Sequence, residues 1–353
     1  MNQSSIPDLS PITQHLRAMY RSRLLLAAVH HLNVFEILRE SALTIPELQA
    51  RLQWKERPAM VLFPSLCAMQ MLQRDAAGRL SITETGRYLT QRQSPNLLGY
   101  TGLEKDDPGV LEMVELLKND GPIDAPEGVS YVKDGEAPSP MDDPEAARYF
   151  TLALAGRAQL LSPLVANHLS QSKGHLLDVA GGTGMYAYEW LLLNPDATAT
   201  VFDRPEVLKV AAEFLTKLEQ SGRPGAENLR NRVRFQPGDM LVDPLPETDL
   251  LLAASLFHDW PIDTCEKLAH RFAQAIRPGG ELWAHDAFLN DTLDGPLPVT
   301  DYSAALFAGT KGRAYSRREY RQWFSQAGLQ PTDEDFPTGL DYSLIRATKL
   351  NRS

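Results

Sequence analysis

Four residues able to bind or move charge recur at the spacing of successive strand ends: Asp178, Asp203, Asp239 and His258. Asp178 follows the apolar pair Leu176-Leu177 and leads into Val179-Ala180-Gly181-Gly182-Thr183-Gly184. Asp203, closing Val201-Phe202-Asp203, stands 19 residues after Gly184. Glycine lacks the Cβ that would keep a ligand away from the backbone. An acid at that separation can accept hydrogen bonds from ribose hydroxyls. Strand, glycine turn, helix and second acid together point to an adenosine-containing cofactor. Each acid taken singly would be an ordinary turn or cap residue; three at successive strand ends are better explained as a site.

Gly182-Thr183-Gly184-Met185-Tyr186-Ala187 also matches the GxGxxA dinucleotide fingerprint, so a nicotinamide cofactor has to be weighed. The residues downstream favour S-adenosylmethionine instead. Gly238-Asp239-Met240 offers a carboxylate for an adenine amino group and a thioether for the ring face. Asp178 fits beside the turn, where it can support the loop facing a methionine ammonium.

The elements that must position these residues follow from periodicity. From Gly174 onward, strands are expected at 175–180, 198–203, 232–236, 248–254 and 281–286, with helices near 184–194, 205–219, 263–277 and 316–327. Extended segments near 330–336 and 341–348 close the chain. Such alternation implies a mostly parallel sheet covered on both faces, with ligands at the carboxyl ends of its strands. A long amphipathic helix is expected from Pro144 to about His168. Before it, 101–144 is rich in turn signals, with one helix near 109–118. Residues 10–100 read as short helices: Thr44-Ile45-Pro46-Glu47 is a capping-box start, a helix spans roughly 57–72, and Asp75 to Thr83 suggests a hairpin. Helix, helix, hairpin is a winged-helix outline.

At 353 residues with 43% apolar content the chain suits two domains. A net charge of −10 disfavours nucleic acid and anionic membrane as partners. Cys67 and Cys265 are the only cysteines and have no metal-knuckle spacing. Leu24 to Val29, the longest early apolar run, is far short of a spanning helix, so no membrane insertion and a cytoplasmic location are expected.

With these motifs in order, followed by His258-Asp259-Trp260 and Arg277-Pro278-Gly279-Gly280, the chain resembles the caffeic-acid-type O-methyltransferases, in particular their bacterial secondary-metabolite branch. The resemblance covers nearly the whole length. It implies an α/β class I methyltransferase fold (Rossmann-like, with a mostly parallel seven-stranded sheet) behind an N-terminal, mostly helical winged-helix dimerisation domain. The expected division is 1–100 for dimerisation, 101–143 for connection and acceptor pocket, and 144–353 for the cofactor-binding domain.

The resemblance also implies roles. Gly181, Gly182 and Gly184 shape the loop under the methionine part, Asp203 binds ribose, and Asp239 with Met240 holds adenine. Phe150 lies over cofactor and acceptor, and Leu154 stands where many members have methionine. His258 matches the histidine that deprotonates the acceptor hydroxyl, Asp286 the acid that orients it, and Asp301 an aspartate facing the acceptor pocket. A homodimer and a small-molecule acceptor come with the family. The chain departs from the pattern at Ala180 (a glycine in many members), at Ala254 (a lysine in plant members), and at Lys311-Gly312-Arg313-Ala314-Tyr315, which lacks the second orienting acid. Asp286 is thus expected to orient His258 nearly alone.

Methyl transfer from a sulfonium is an in-line displacement, and the protein's task is alignment. A phenol gains nucleophilicity when a base takes its proton, and a neutral imidazole suits that. No metal is required if the acceptor has one hydroxyl; His258, His285 and Asp286 could in principle hold one, but His285, next to Asp286 on a strand, should face the other way. Asp259 reads as a helix cap or ion-pair partner and Trp260 as core. C- or N-methylation, a non-methylating relative, and a winged-helix DNA-binding regulator are the competing functions. Against the last, the 57–72 helix carries Phe63, Leu66, Met69 and Met71 and few basic residues.

Overall fold

The computed structural model describes residues 7–121 and 139–351. These pack as two units, 7–121 with 288–317 and 139–287 with 318–351. The turn signals at Pro122 and at Ala137-Pro138 lie outside the described residues.

In the first unit, strands β1 (Leu43–Thr44), β2 (Leu72–Arg74) and β3 (Arg79–Ile82) form an antiparallel sheet in the order β1-β3-β2. The capping box at Thr44 is present: its backbone N–H donates to Glu47 Oε2 at 2.7 Å. Asp75 closes the β2–β3 turn by accepting from the N–H groups of Ala77 and Arg79 at 2.9 Å each. The helix expected at 57–72 runs Glu56–Ala68 and is buried from Pro58 through Cys67, Met60 excepted. It stops short because the chain turns at Gln70, φ 62, which puts Met71 beyond its end. Its Phe63 and Leu66 join Leu24, Phe35, Leu48 and Leu117 in one core. The helix Leu297–Gly309 adds Ala304 and Phe307 to that core and is absent from the sequence expectations. Its buried residues, polar Thr300, Asp301 and Ser303 among them, run round the helix, so it offers no amphipathic period to detect.

The second unit is built on β4 (His175–Val179), β5 (Thr198–Asp203), β6 (Val233–Pro237), β7 (Thr248–Ala254), β8 (Ile276–Asp286), β9 (Leu329–Pro331), β10 (Phe336–Gly339) and β11 (Tyr342–Lys349). Strands β4 to β8 are parallel in the order β6-β5-β4-β7-β8, and β11 adds antiparallel to β8. Eight strands occupy the seven expected positions. β9 and β10 both pair with β11, at Ala347–Lys349 and Tyr342–Leu344 respectively, so the edge position is one strand broken at 332–335. Pro331 and Pro337 sit on this edge, where a missing N–H costs least. β8 begins at Ile276 rather than 281, taking in Arg277-Pro278-Gly279-Gly280 with a shifted register against β7. The helices Pro144–His168 and Pro205–Glu219 have the expected bounds to within a residue. Among the described residues no helix is long and apolar enough to cross a membrane.

Candidate active site

Strand order reverses on either side of β4, and in open α/β sheets the crevice at that switch point is where ligands bind. A cavity of about 200 Å³ lies there in the second unit. Its wall comes from the segments following four strands: Ala180 to Thr183 after β4, Phe202 to Arg204 at β5, Gly238 to Leu241 after β6, and Ala254 to Leu256 with Asp259 and Trp260 after β7. The helix Pro144–His168 contributes Phe150, Leu154 and Arg157, spaced to share one face. Two non-glycine residues on the wall, Ala180 and Ser255, hold φ of 53. Left-handed backbone costs roughly 1–2 kcal/mol at such residues. Each is pinned by its N–H, Ala180 to Phe202 O and Ser255 to His285 O, both at 2.8 Å.

The glycine turn does two jobs. Gly182, φ +57, faces open space, where a Cβ would meet nothing within 4 Å. Gly184, φ +72, is required for inward packing instead, since a Cβ there would lie 2.4 Å from the Tyr188 ring. Asp203 organises the turn from below: its Oδ2 accepts from Gly182 N–H at 2.9 Å and its Oδ1 from Arg204 N–H at 2.7 Å. Burial pushes the Asp203 carboxyl up to about 6 despite those donors. Burial first, and the neighbouring Asp203 second, push Asp178 up to about 7. Asp239 accepts from Leu241 N–H at 2.9 Å and lies 3.1 Å from the Arg204 guanidinium, which also clasps Asp142.

An apolar wall, the Asp203 and Asp239 carboxyls on it, and a backbone turn open to the cavity suit a ligand joining a cation to a ribosyl adenine. Thr183 Oγ1, buried on the same wall, has no hydrogen-bond partner among the described residues and is available to such a ligand. The residues present therefore fit S-adenosylmethionine.

Beside the cavity, at the ends of the adjacent strands β7 and β8, His258 Nδ1 lies 2.5 Å from Asp286 Oδ1. Both side chains are 2% exposed. Burial favours neutral imidazole, but the charges of Asp286 and Asp259 and the Asp286 hydrogen bond outweigh it, so His258 is held above its ordinary value. Burial likewise opposes charge on Asp286, yet His258, Tyr320 and the Ala287 N–H hold that carboxyl below its usual range. An ionised Asp286 accepts a hydrogen bond from Nδ1–H, which places the ring's lone pair on Nε2. Nε2 is on the side of Asp259, whose Oδ1 is 3.6 Å away and which itself lines the cavity.

Asp286 is not alone. The Tyr320 hydroxyl donates to its Oδ2 at 2.6 Å and the Ala287 N–H to its Oδ1 at 2.8 Å, which corrects the expectation drawn from the missing second acid. Asp259 is not a helix cap, since Pro261 occupies that position with no side-chain bond; it is a partner of His258. Trp260 belongs to the cavity wall rather than the core. His285 turns the other way, its Nε2 2.7 Å from Thr338 Oγ1.

Of the residues singled out from sequence, Phe150, Leu154, Gly181, Gly182, Asp203, Asp239 and Met240 meet on one cavity wall. Asp178 and Gly184 support the turn from beneath, and His258 with Asp286 stands at the β7 and β8 ends. Asp301 lies in the first unit, 0% exposed and ion-paired with Arg21 at 2.6 Å. Arg157, Arg204 and Tyr320 were missed. Arg157 continues the Phe150–Leu154 helix face, and Arg204 follows the ribose acid directly. Tyr320 sits with Trp323 and Phe324 on an apolar helix face, where a buried phenol needs a partner for its hydroxyl.

Residues 138–330 match the model of the O-methyltransferase domain, and the chain belongs to this family. The chain is 37% identical to an O-methyltransferase family 2 protein of Planctomyces limnophilus solved with apigenin, with a TM-score of 0.85 over 98% of this chain and 97% of that one. It is 28% identical to the tetracenomycin polyketide synthesis 8-O-methyltransferase TcmO of Streptomyces glaucescens over 90% of each chain. It is 33% identical to human acetylserotonin O-methyltransferase over 49% of this chain, an alignment that spans about half the length of that relative (47%).

Proposed function

We propose that this chain is an O-methyltransferase that transfers a methyl group from S-adenosylmethionine to a hydroxyl of a small aromatic or polyketide-like metabolite, with His258 as general base. The observation that carries this reading is the buried His258–Asp286 pair beside a cavity suited to the cofactor. When bound, S-adenosylmethionine supplies an electrophilic methyl group on a sulfonium that leaves as a neutral thioether. Gly181 and Gly182 would line its methionine part, Asp203 would accept from its ribose hydroxyls, and Asp239 with Met240 would hold its adenine. Gly184 and Asp178 keep the turn in shape. Phe150 and Leu154, on the helix wall, exclude water from the reacting atoms and face the acceptor. His258 Nε2 takes the hydroxyl proton as the oxygen attacks, and the resulting imidazolium is stabilised by Asp286. Such base catalysis contributes typically about 10²–10⁴-fold.

Residues 1–100 form a winged-helix dimerisation domain, and the chain works as a cytoplasmic homodimer without nucleic acid. Three observations support this. The first unit carries three antiparallel strands among its helices. Ile12, Leu16 and Met19 stand exposed at helical spacing on its first helix. The net charge is −10. Asp301 does not line the cofactor cavity, and its pair with Arg21 gives it a structural use within the first unit.

The test is transfer of a labelled methyl from S-adenosylmethionine to apigenin and to phenolic, polyketide and carotenoid acceptors, with mass spectrometry locating the label. Label on oxygen is expected. Label only on carbon or nitrogen, or none with any acceptor, overturns the reading.

A further inference from the structure

One side chain joined to the His258–Asp286 pair is one that no sequence pattern singled out. Tyr320 lies in the helix Arg317–Gln326 and is 1% exposed. Its hydroxyl donates to Asp286 Oδ2 at 2.6 Å, while Asp286 Oδ1 lies 2.5 Å from His258 Nδ1. Both oxygens of one buried carboxylate are therefore committed, one to each ring. We propose that Tyr320 is a positioning residue for the reaction, its phenol locking the Asp286 carboxylate in the plane and rotamer that keep His258 in the Nδ1–H tautomer, with the lone pair on Nε2. The inference rests on the reading of His258 as the base.

The physical case has three parts. A carboxylate oxygen buried without a donor carries the full penalty of its lost solvation, so Oδ2 without Tyr320 would protonate, rotate or draw in water. Each of those changes loosens the contact at Oδ1, because the two oxygens belong to one rigid plane. Second, a phenol donates through its one O–H and carries no negative charge near neutral pH. It can support Asp286 without adding a further negative charge to those of Asp286 and Asp259 beside His258, as an acid at this place would. Third, the ring is held independently of its hydroxyl. Phe257 lies 5.2 Å away centroid to centroid, Trp323 5.1 Å and Phe324 6.0 Å. Phe257 directly precedes His258, so this cluster joins the helix carrying Tyr320 to the turn carrying the base. Removing only the oxygen leaves that packing in place.

Tyr320→Phe is the test, read in two ways. In protein labelled with ¹⁵N at histidine, with the His258 signal assigned by its loss in His258→Gln, a short buried Nδ1–H bond gives a far-downfield proton and nitrogen shifts of a single tautomer. Tyr320→Phe is expected to move that proton upfield or abolish it and to mix the tautomers, with no change in melting temperature large enough to indicate a disturbed fold. An unchanged His258 signal overturns the proposal, and no acceptor is needed to see it. In steady-state methyl transfer, using whichever acceptor the labelled-methyl screen identifies, Tyr320→Phe is expected to lower kcat by about 10-fold, with KM for S-adenosylmethionine unmoved. The same substitution made on top of Asp286→Asn is expected to add little, because both act through one carboxylate. Losses that simply multiply would mean that Tyr320 acts elsewhere, and overturn the proposal. If His258→Gln keeps the wild-type rate, the base assignment falls by itself, and the resonance still reports whether Tyr320 governs the pair.

Discussion

Asp286 and Asp301 are both aspartates buried to 2% or less, one in each unit, and the difference between them lies in their partners. Asp301, on the helix Leu297–Gly309, faces the Arg21 guanidinium through both oxygens, at 3.3 and 2.6 Å. Burial still leaves its carboxyl raised, with Arg21 offsetting part of that penalty. Asp286 faces an imidazole and a phenol and is held below its ordinary value. An arginine never releases its proton in a protein, so the first pair ties two helices together and does no acid–base work. A histidine releases its proton near neutrality, so the second pair can pass one on. Two carboxylates, both buried, thus have different uses, set by whether the cation opposite can titrate.

That contrast can be broken from either side. The largest effect is expected at the titratable pair: His258→Ala should lower kcat/KM by about 10²–10⁴-fold while calorimetry shows S-adenosylmethionine affinity unchanged. Because His258 is held above its ordinary value and must be neutral to act, wild-type activity should rise with pH through a midpoint above 6.5. A midpoint below that, or an undiminished rate in the variant, would remove the base. Asp301→Asn should act on stability instead. A loss of about 1–3 kcal/mol in urea unfolding is expected, with an unshifted pH–rate profile. A shifted profile would bring Asp301 into the chemistry.

A third effect is expected at Asp178, where burial is the first cause of a raised carboxyl. Its carboxyl rises to about 7 on folding, against an ordinary value of 3.8. The fold thus favours the protonated form. The stability this contributes is complete below about pH 4 and is lost as pH rises toward 7. Asp178→Asn cannot ionise, so the cofactor-free variant should melt above wild type at pH 8 and level with it at pH 4. Equal melting at both pH values would mean that Asp178 is not under strain.

Much of the second unit was legible because its signals are local. β5 and β7 have their expected bounds, since each is a short apolar run ended by a turn residue. The helix Pro144–His168 is announced by Asp143 capping and Pro144 in its first turn. The Leu297–Gly309 helix was invisible because burial on all sides erases periodicity. The broken edge strand at 332–335 was blurred into one segment, because its two halves differ only in which part of β11 they pair with. In the site, the residues that were found stand at strand ends or one helical turn apart, where spacing carries information.

By itself, then, the sequence determined the alternation of strands and helices from β4 to β8, the glycine turn with its acids, and the histidine that follows β7. Apolar runs, glycine and capping residues act over a few positions and leave a readable trace. Tertiary structure alone decided which buried group answers which. It set Tyr320 against Asp286 across 34 residues and Arg21 against Asp301 across 280. A buried carboxylate must find a donor wherever the chain brings one, and no local pattern encodes a partner that only folding brings within 3 Å.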